Sequence, residues 1–87
     1  MEVRFLKSFE KDLSKADTTV RKRILVLIRR MEEAKSVLDL QQVKKLKGSK
    51  DAYRIRIGHY RLGFFVSGHQ FHLARLLDRR EIYRHFP

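Results

Sequence analysis

The sequence predicts an α+β fold in which an N-terminal strand and a helical hairpin pack on one face of a small antiparallel β-sheet. Two patterns support this prediction. Apolar residues recur at helical spacing in the first half of the chain, and after residue 52 the spacing changes to the period of two of a half-buried strand. Glycine-containing pairs interrupt the second pattern twice, as hairpin turns do. With 87 residues there is material for one core, so we expect a single domain over residues 1–87.

The N-terminal half is predicted to be a strand followed by two helices. Residues 3–6 read as a strand, and Ser8 is a candidate N-cap for a short helix with Phe9 and Leu13 on one face. A longer amphipathic helix is expected from about Thr18 to Lys35. Its apolar stripe consists of Val20, Ile24, Leu27, Ile28 and Met31. The short connection makes the two helices a hairpin that lies on the sheet.

Three strands are predicted after residue 52, joined by turns at Gly58-His59 and Gly68-His69. The first turn pairs Ile57 with Tyr60, Arg56 with Arg61, Ile55 with Leu62 and Arg54 with Gly63. The second turn pairs Val66 with Phe71, Phe65 with His72, Phe64 with Leu73 and Gly63 with Ala74. This register sorts apolar and basic residues onto opposite faces. The exception is Arg75 on the apolar face, where we expect a bulge, an exposed strand end or a salt bridge.

The charge of the chain indicates a polyanionic partner, with nucleic acid the first candidate. The 21 Lys and Arg against 10 Asp and Glu give a net charge of +11. Most of the excess lies in residues 41–87, which hold eleven basic and three acidic groups. There is no cysteine, which excludes disulfides, thiolate metal sites and thiol redox chemistry. A charged N-terminus and the absence of a bilayer-length apolar run predict a cytoplasmic protein without membrane association.

The predicted register brings Arg54, Arg56 and Arg61 together on the basic face of the sheet. Gly63 and Ala74 would leave a hollow of phosphate size beside them. Neighbouring like charges repel, so a sheet tolerates them best when an anion is bound. The alternative is that these arginines only solvate an exposed sheet face, which is common. The single sign of the charge argues against it, because an ordinary solvated face mixes signs.

Other residues are suited to stacking on RNA or to moving protons during its cleavage. Phe65 and His72 share the basic face and could stack on bases. Cleavage without a metal needs a base for the 2′-hydroxyl, positive charge at the phosphate and an acid for the leaving 5′-oxygen. Arginine supplies only the charge, since its pKa lies above about 12. The candidates for acid and base are Tyr83, His85, His72, His59, Lys45 and Lys47. Each histidine taken singly is more typical of a surface or turn position.

A catalytic metal is not expected. Metal-assisted cleavage uses clustered carboxylates or paired histidines, and the second half of the chain has only Asp51, Asp78 and Glu81 as carboxylates. The sequence also lacks a Ser-His-Asp pattern, a phosphate-binding glycine-rich loop and zinc-ligand spacing.

Three segments carry a family resemblance: the basic stretch Lys45–Gly48, the core Tyr53–Leu62 and the closing segment Asp78–Arg84. In their order and spacing, over nearly the whole chain, they resemble the mRNA interferase branch of the RelE/ParE toxin superfamily. The resemblance implies a RelE-like microbial ribonuclease-type fold and the toxin of a type II toxin–antitoxin pair. Such a toxin cleaves mRNA in the ribosomal A site without a cofactor, leaving a cyclic phosphate and a 5′-hydroxyl. It also implies an acidic antitoxin that covers the basic face, and a complex that binds operator DNA.

The resemblance assigns the residues that act on the scissile phosphate. These are Arg54, Arg56, Arg61, Arg79 or Arg80, and Tyr83, with His85 as a second candidate for proton transfer because some relatives use a near-terminal histidine. Apart from the resemblance, the residues that we expect to bind RNA are Lys45, Lys47, Lys50, Phe65 and His72. One departure is that Arg54 and Arg56 stand where the best-known members have lysines. Because arginine does not readily move protons, that task passes to Tyr83 or His85.

Two other functions stay open at this point. The ParE branch shares the fold but poisons DNA gyrase, and it typically lacks the full set that Arg61, Arg80 and Tyr83 form here. A catalytically silent RNA-binding module would bind RNA in a salt-sensitive way, survive the loss of Tyr83 and His85, and cleave nothing.

Overall fold

A mixed five-stranded sheet forms the centre of the structure, a computed structural model that describes all 87 residues. Its strands are β1 (Glu2–Phe5), β2 (Val43–Lys45), β3 (Ala52–Ile57), β4 (Tyr60–Ser67) and β5 (Gln70–Asp78), in the spatial order β1-β5-β4-β3-β2. The helices are α1 (Lys7–Lys15), α2 (Thr18–Glu33) and α3 (Ile82–His85), with one 3₁₀ turn at Val37–Asp39. The predicted α+β class, with its strand, helical hairpin and sheet, is confirmed. None of the helices has the length and apolar character needed to cross a membrane.

The sheet extends beyond the predicted meander on both sides. β1 lies parallel to β5, with Val3 opposite Phe71, so the sheet is mixed and not purely antiparallel. β2 pairs antiparallel with β3 and was not among the strands predicted from the sequence. Lysines on a very short edge strand are a common protection against pairing with other chains. Because two of its three residues are lysines, the strand also lacks the alternation of apolar and polar residues from which strands are predicted.

Both predicted hairpins are present, with the predicted register in the first. Gly58 and Gly68 occupy the left-handed region, with φ of 59° and 57°, which explains why glycine begins each turn. In the second hairpin the pairs nearest the turn are as predicted. Further along, however, Gly63 lies opposite Arg75 and not Ala74, because a bulge shifts the register between Gly63 and Phe64.

Arg75, the exception in the predicted pattern, combines the expected bulge with the expected salt bridge. Its Nε donates to Asp12 of α1 at 2.7 Å, and its Nη2 donates to the other carboxylate oxygen at 3.2 Å. The same carboxylate accepts the backbone N–H of Leu76 at 3.0 Å. The hydrogen bond and charge of Asp12 raise the pKa of Arg75 above its ordinary value, against the opposing effect of burial. Asp12 thus ties α1 to the bulged strand.

Replacement of Asp12 by alanine is expected to destabilise the fold by about 1–3 kcal/mol, because Arg75 and the Leu76 N–H lose their acceptor. The Asp12 side chain is only 9% exposed, so water replaces it poorly. Urea unfolding measures the change. Glu10→Ala on the exposed side of α1 is the matched control, with an expected change below about 1 kcal/mol. Equal midpoints for the two variants would contradict this role of Asp12.

Two apolar clusters lie on opposite faces of the sheet. The larger one, the helix-side core, joins α1 and α2 to the sheet and includes Phe9, Ile24, Met31, Leu62, Phe64, Phe71 and Leu73. The smaller one, the C-terminal cluster, consists of Ala52, Ala74, Ile82 and Phe86. Because Gly63 lies between the helix-side residues Leu62 and Phe64, its contact with Phe86 puts α3 on the other face. The sheet is therefore covered by the hairpin on one side and by the C-terminus on the other.

Candidate functional site

The C-terminal segment covers part of the basic sheet face. Ile82 is fully buried and Phe86 is 7% exposed. A Cβ on Gly63 would lie 2.6 Å from the Phe86 ring, so the ring rests directly on the backbone of β4. The prediction of an open hollow at Gly63 and Ala74 is therefore wrong, because the Phe86 ring fills that space. The predicted stacking residue Phe65 packs beside Phe86, with ring centroids 5.1 Å apart, and is half-buried.

Four arginines gather next to this cover. Arg56 lies opposite Arg61 in the register, and Arg54 follows on the same face of β3. Burial and repulsion from Arg56, together with Arg54 and Arg79, lower the pKa of Arg61 below its ordinary value, while Tyr83 opposes the shift. We name Arg54, Arg56, Arg61 and Arg79 the arginine cluster. None of the four belongs to an ion pair in the structure. A bound anion would relieve their repulsion.

The arginine cluster has one protein partner of catalytic interest, the phenol of Tyr83. The guanidinium carbon of Arg54 lies 4.5 Å from the centroid of the Tyr83 ring, which is a cation–π contact. Tyr83 is otherwise 68% exposed. The Arg61 side chain is fixed by the β3–β4 turn, since its Nη1 donates to the carbonyl oxygens of Gly58 and Tyr60 at 3.0 and 2.9 Å. A phenol and several guanidinium groups thus face one patch of solvent.

A capped turn between β5 and α3 holds Arg79 next to the β3–β4 hairpin. The Asp78 carboxylate accepts the backbone N–H groups of Arg80 and Glu81 at 2.8 and 3.0 Å. The Arg79 N–H donates to the His59 carbonyl at 2.8 Å, which ties the turn to the β3–β4 hairpin. The positive charge of Arg79 contributes to lowering the pKa of Arg61. We therefore include Arg79 in the arginine cluster, and the choice between Arg79 and Arg80 as the residue that acts on the phosphate stays a prediction.

Asp78 is expected to stabilise the fold in a pH-dependent way. The N–H donors of Glu81 and Arg80 lower its pKa below the ordinary 3.8. Because the pKa is lower in the folded state, the Asp78 carboxylate stabilises the fold fully at pH values above its ordinary pKa. This stabilisation is lost as the pH falls through the pKa of the folded state. Asp78→Ala should therefore destabilise the protein at neutral pH and much less in strong acid, as measured by urea unfolding at both. A pH-independent difference would contradict this account.

His85, the second proton-transfer candidate, faces away from Tyr83. Its Nε2 lies 3.4 Å from the Glu81 carboxylate, one helical turn earlier. Residues two apart on a helix do not face each other. The side chains of Tyr83 and His85 are both exposed, but only Tyr83 contacts an arginine of the cluster.

The predicted RNA-binding residues are spread more widely. Lys47 and Lys50 are exposed in the connection between β2 and β3. His72 is half-buried opposite Phe65, four residues and about 13 Å along β4 from Arg61. Lys45 is exposed but lies opposite Tyr53, which packs on the helix-side core, so Lys45 shares that face and not the arginine face.

One basic residue was missed. Lys44 lies opposite Arg54 and therefore shares its face of the sheet. Recognition of residues 43–45 as an edge strand would have identified it. No three His, Asp or Glu side chains lie close enough together to hold a metal ion.

Fold and site together define a small basic α+β protein in which arginines clustered on the sheet lie next to a tyrosine of α3. No family model matches the chain. Its sequence is 42% identical to Toxin RelE3 of Methanocaldococcus jannaschii over 88 residues, which covers 100% of both proteins. At this identity over the full length, the chain belongs to the RelE toxin family.

Three of the solved structures with the same fold are complexes of a toxin with its antitoxin. The RelB–RelE complex of Methanococcus jannaschii contains a chain that matches with a TM-score of 0.83 and 40% identity, covering 97% of this chain and 99% of that one. The RelE–RelB complex of Pyrococcus horikoshii gives a TM-score of 0.74 at 26% identity, covering 90% and 93%. The Escherichia coli RelBE complex gives 0.72 at 21% identity, covering 88% and 94%, which is a likeness of fold alone.

Proposed function

We propose that this protein is the toxin of a toxin–antitoxin pair and that it cleaves mRNA in the ribosomal A site without a metal ion. The observation that carries the proposal is the Tyr83 phenol in contact with Arg54, beside three further arginines that have no acidic partner. The ParE-like alternative, a gyrase poison, needs no such pairing of phenol and guanidinium groups. A silent RNA-binding module needs the charge but not the tyrosine.

The chemistry is an attack of the RNA 2′-oxygen on the adjacent phosphate. The 2′-hydroxyl gives up its proton, the bond from phosphorus to the 5′-oxygen breaks, and that oxygen takes a proton as it leaves. The products are a 2′,3′-cyclic phosphate and a 5′-hydroxyl. Arg61 and Arg56 are suited to neutralise the charge that develops on the phosphate. Tyr83 is the proposed proton carrier, with His85 as the less favoured candidate because it faces Glu81.

The proposed protein partner is an acidic antitoxin of the cytoplasm, whose complex with this toxin binds operator DNA. RelE chains of the three solved structures are bound to RelB antitoxins. Support from this chain comes from the charge of +11 and from a groove of about 480 Å³ between α2 and β3. Leu27 and Ile55 line its apolar part, and Lys22, Arg23 and Arg30 add positive charge. Such a groove suits an acidic segment with apolar side chains.

The test is to incubate the purified toxin with ribosomes that carry a defined mRNA and to determine the chemistry of the new RNA ends. We expect 5′ ends that polynucleotide kinase labels without prior phosphatase treatment, and 3′ ends blocked by a cyclic phosphate. The same mRNA without ribosomes tests ribosome dependence. New ends with a 5′-phosphate would contradict the mechanism. Binding without cleavage would support the silent module, and inhibition of gyrase supercoiling would support the ParE-like function.

A further inference from the structure

The ring of Phe86 occupies a position that only a glycine in β4 allows. An added Cβ on Gly63 would meet three ring atoms of Phe86 at 2.6 to 2.9 Å, well inside normal contact distance. Gly63 has no positive φ, so its backbone conformation does not explain the glycine. The close approach of Phe86 does explain it.

Helix α3 needs such anchors because it has only four residues. A helix this short has no stability of its own in water, so packing must hold it. Ile82 and Phe86 are one helical turn apart, and both are buried in the C-terminal cluster. The Phe86 N–H also closes the helix by donating to the Ile82 carbonyl at 2.9 Å.

The two ends of α3 are held differently. Its beginning follows the turn that Asp78 caps, so Ile82 has support from the backbone of that turn. Its end is held by Phe86, since the remaining contact there, His85 with Glu81, joins two exposed side chains of the same short segment. Tyr83 lies between these ends, and its ring contacts Arg54 from a largely exposed position.

We infer that Phe86 is a positioning residue: seated on Gly63, it holds α3 so that the Tyr83 phenol lies against Arg54 at the scissile phosphate. The inference rests on the proposed function for the phosphate, but the position of the Tyr83 ring can be measured without it. The competing interpretation is that Phe86 only covers apolar surface. In that case its loss would lower stability without a specific effect on Tyr83.

The experiment measures the Tyr83 ring by NMR of protein labelled with ¹³C-tyrosine, and RNA cleavage by single-turnover and steady-state kinetics. The variants are Phe86→Ala, which removes the anchor, and Gly63→Ala, which displaces it. Phe86→Leu keeps an apolar anchor and is the conservative control. Tyr83→Phe assigns the Tyr83 signals, and Tyr53 and Tyr60 serve as internal references. If Gly63→Ala does not fold, Phe86→Ala alone decides.

The expected result is a shift of the Tyr83 ring signals toward those of free tyrosine in Phe86→Ala and Gly63→Ala, with Tyr53 and Tyr60 unchanged. The kcat should fall by about 100-fold, as for a misplaced catalytic group, while KM stays unchanged. Phe86→Leu should recover part of the rate. In the Tyr83→Phe background, Phe86→Ala should lower kcat no further, because the two residues act through one step.

Unchanged Tyr83 signals in the anchor variants would overturn the inference, and so would a full additional loss of rate in the Tyr83→Phe background. If the unaltered protein cleaves no RNA, the proposed function fails, and the NMR comparison still decides whether Phe86 positions Tyr83.

Discussion

Arg61→Ala is expected to slow RNA cleavage so far that growth arrest is lost, while the protein stays folded. Arg61 lies at the centre of the arginine cluster, where it is suited to neutralise the phosphate. Loss of one such donor lowers kcat by about 100- to 1000-fold. The fold should tolerate the change, since Arg61 is only partly buried and its two carbonyl acceptors lie at a surface turn.

The measurement is the cleavage rate of the purified variant, with circular dichroism melting as the test of folding. Arg61→Lys keeps the charge but loses the planar fork, so it should recover activity only in part. Arg21→Ala on the exposed side of α2 removes the same charge away from the site and should cleave at the unaltered rate. Unchanged growth arrest with Arg61→Ala would refute the proposed site.

Tyr83→Phe is the other variant for which we expect a large effect, a fall in kcat of about 100- to 10,000-fold. Phenylalanine keeps a ring for Arg54 to contact, so RNA binding should change little. Only the ionisable hydroxyl is lost, which makes this a test of proton transfer. The measurement is the single-turnover cleavage rate over a range of pH, together with the Kd for RNA.

His85→Gln is the matched comparison for Tyr83→Phe. Because His85 pairs with Glu81 and faces away from Arg54, its replacement should slow cleavage far less. If His85→Gln abolished cleavage while Tyr83→Phe did not, proton transfer would belong to the histidine.

The elements that the sequence predicted well are those with local signals. The alternation of apolar and basic residues and the glycines that begin each turn determine the pairing of β3 with β4 without any knowledge of the rest of the chain. The same reasoning identified Arg75 as an exception, and the structure resolves it with a bulge and the Asp12 salt bridge.

What the sequence did not predict depends on contacts between distant segments. The parallel pairing of β1 with β5 joins residues at opposite ends of the chain, and no local pattern specifies it. α3 is too short for a periodic signal, so neither its helical form nor its place on the basic face was predicted. As a consequence, a hollow was expected where Phe86 packs. Lys44 was missed for the related reason that an edge strand rich in lysine shows no apolar alternation.

The most direct test of the central claim is primer extension on a reporter mRNA after induced expression in a bacterial host, with the unaltered protein and Arg61→Ala compared at equal protein levels. The account predicts discrete cuts within the translated region that appear on induction and are absent with Arg61→Ala. Growth arrest with intact mRNA would contradict it and would support poisoning of gyrase instead.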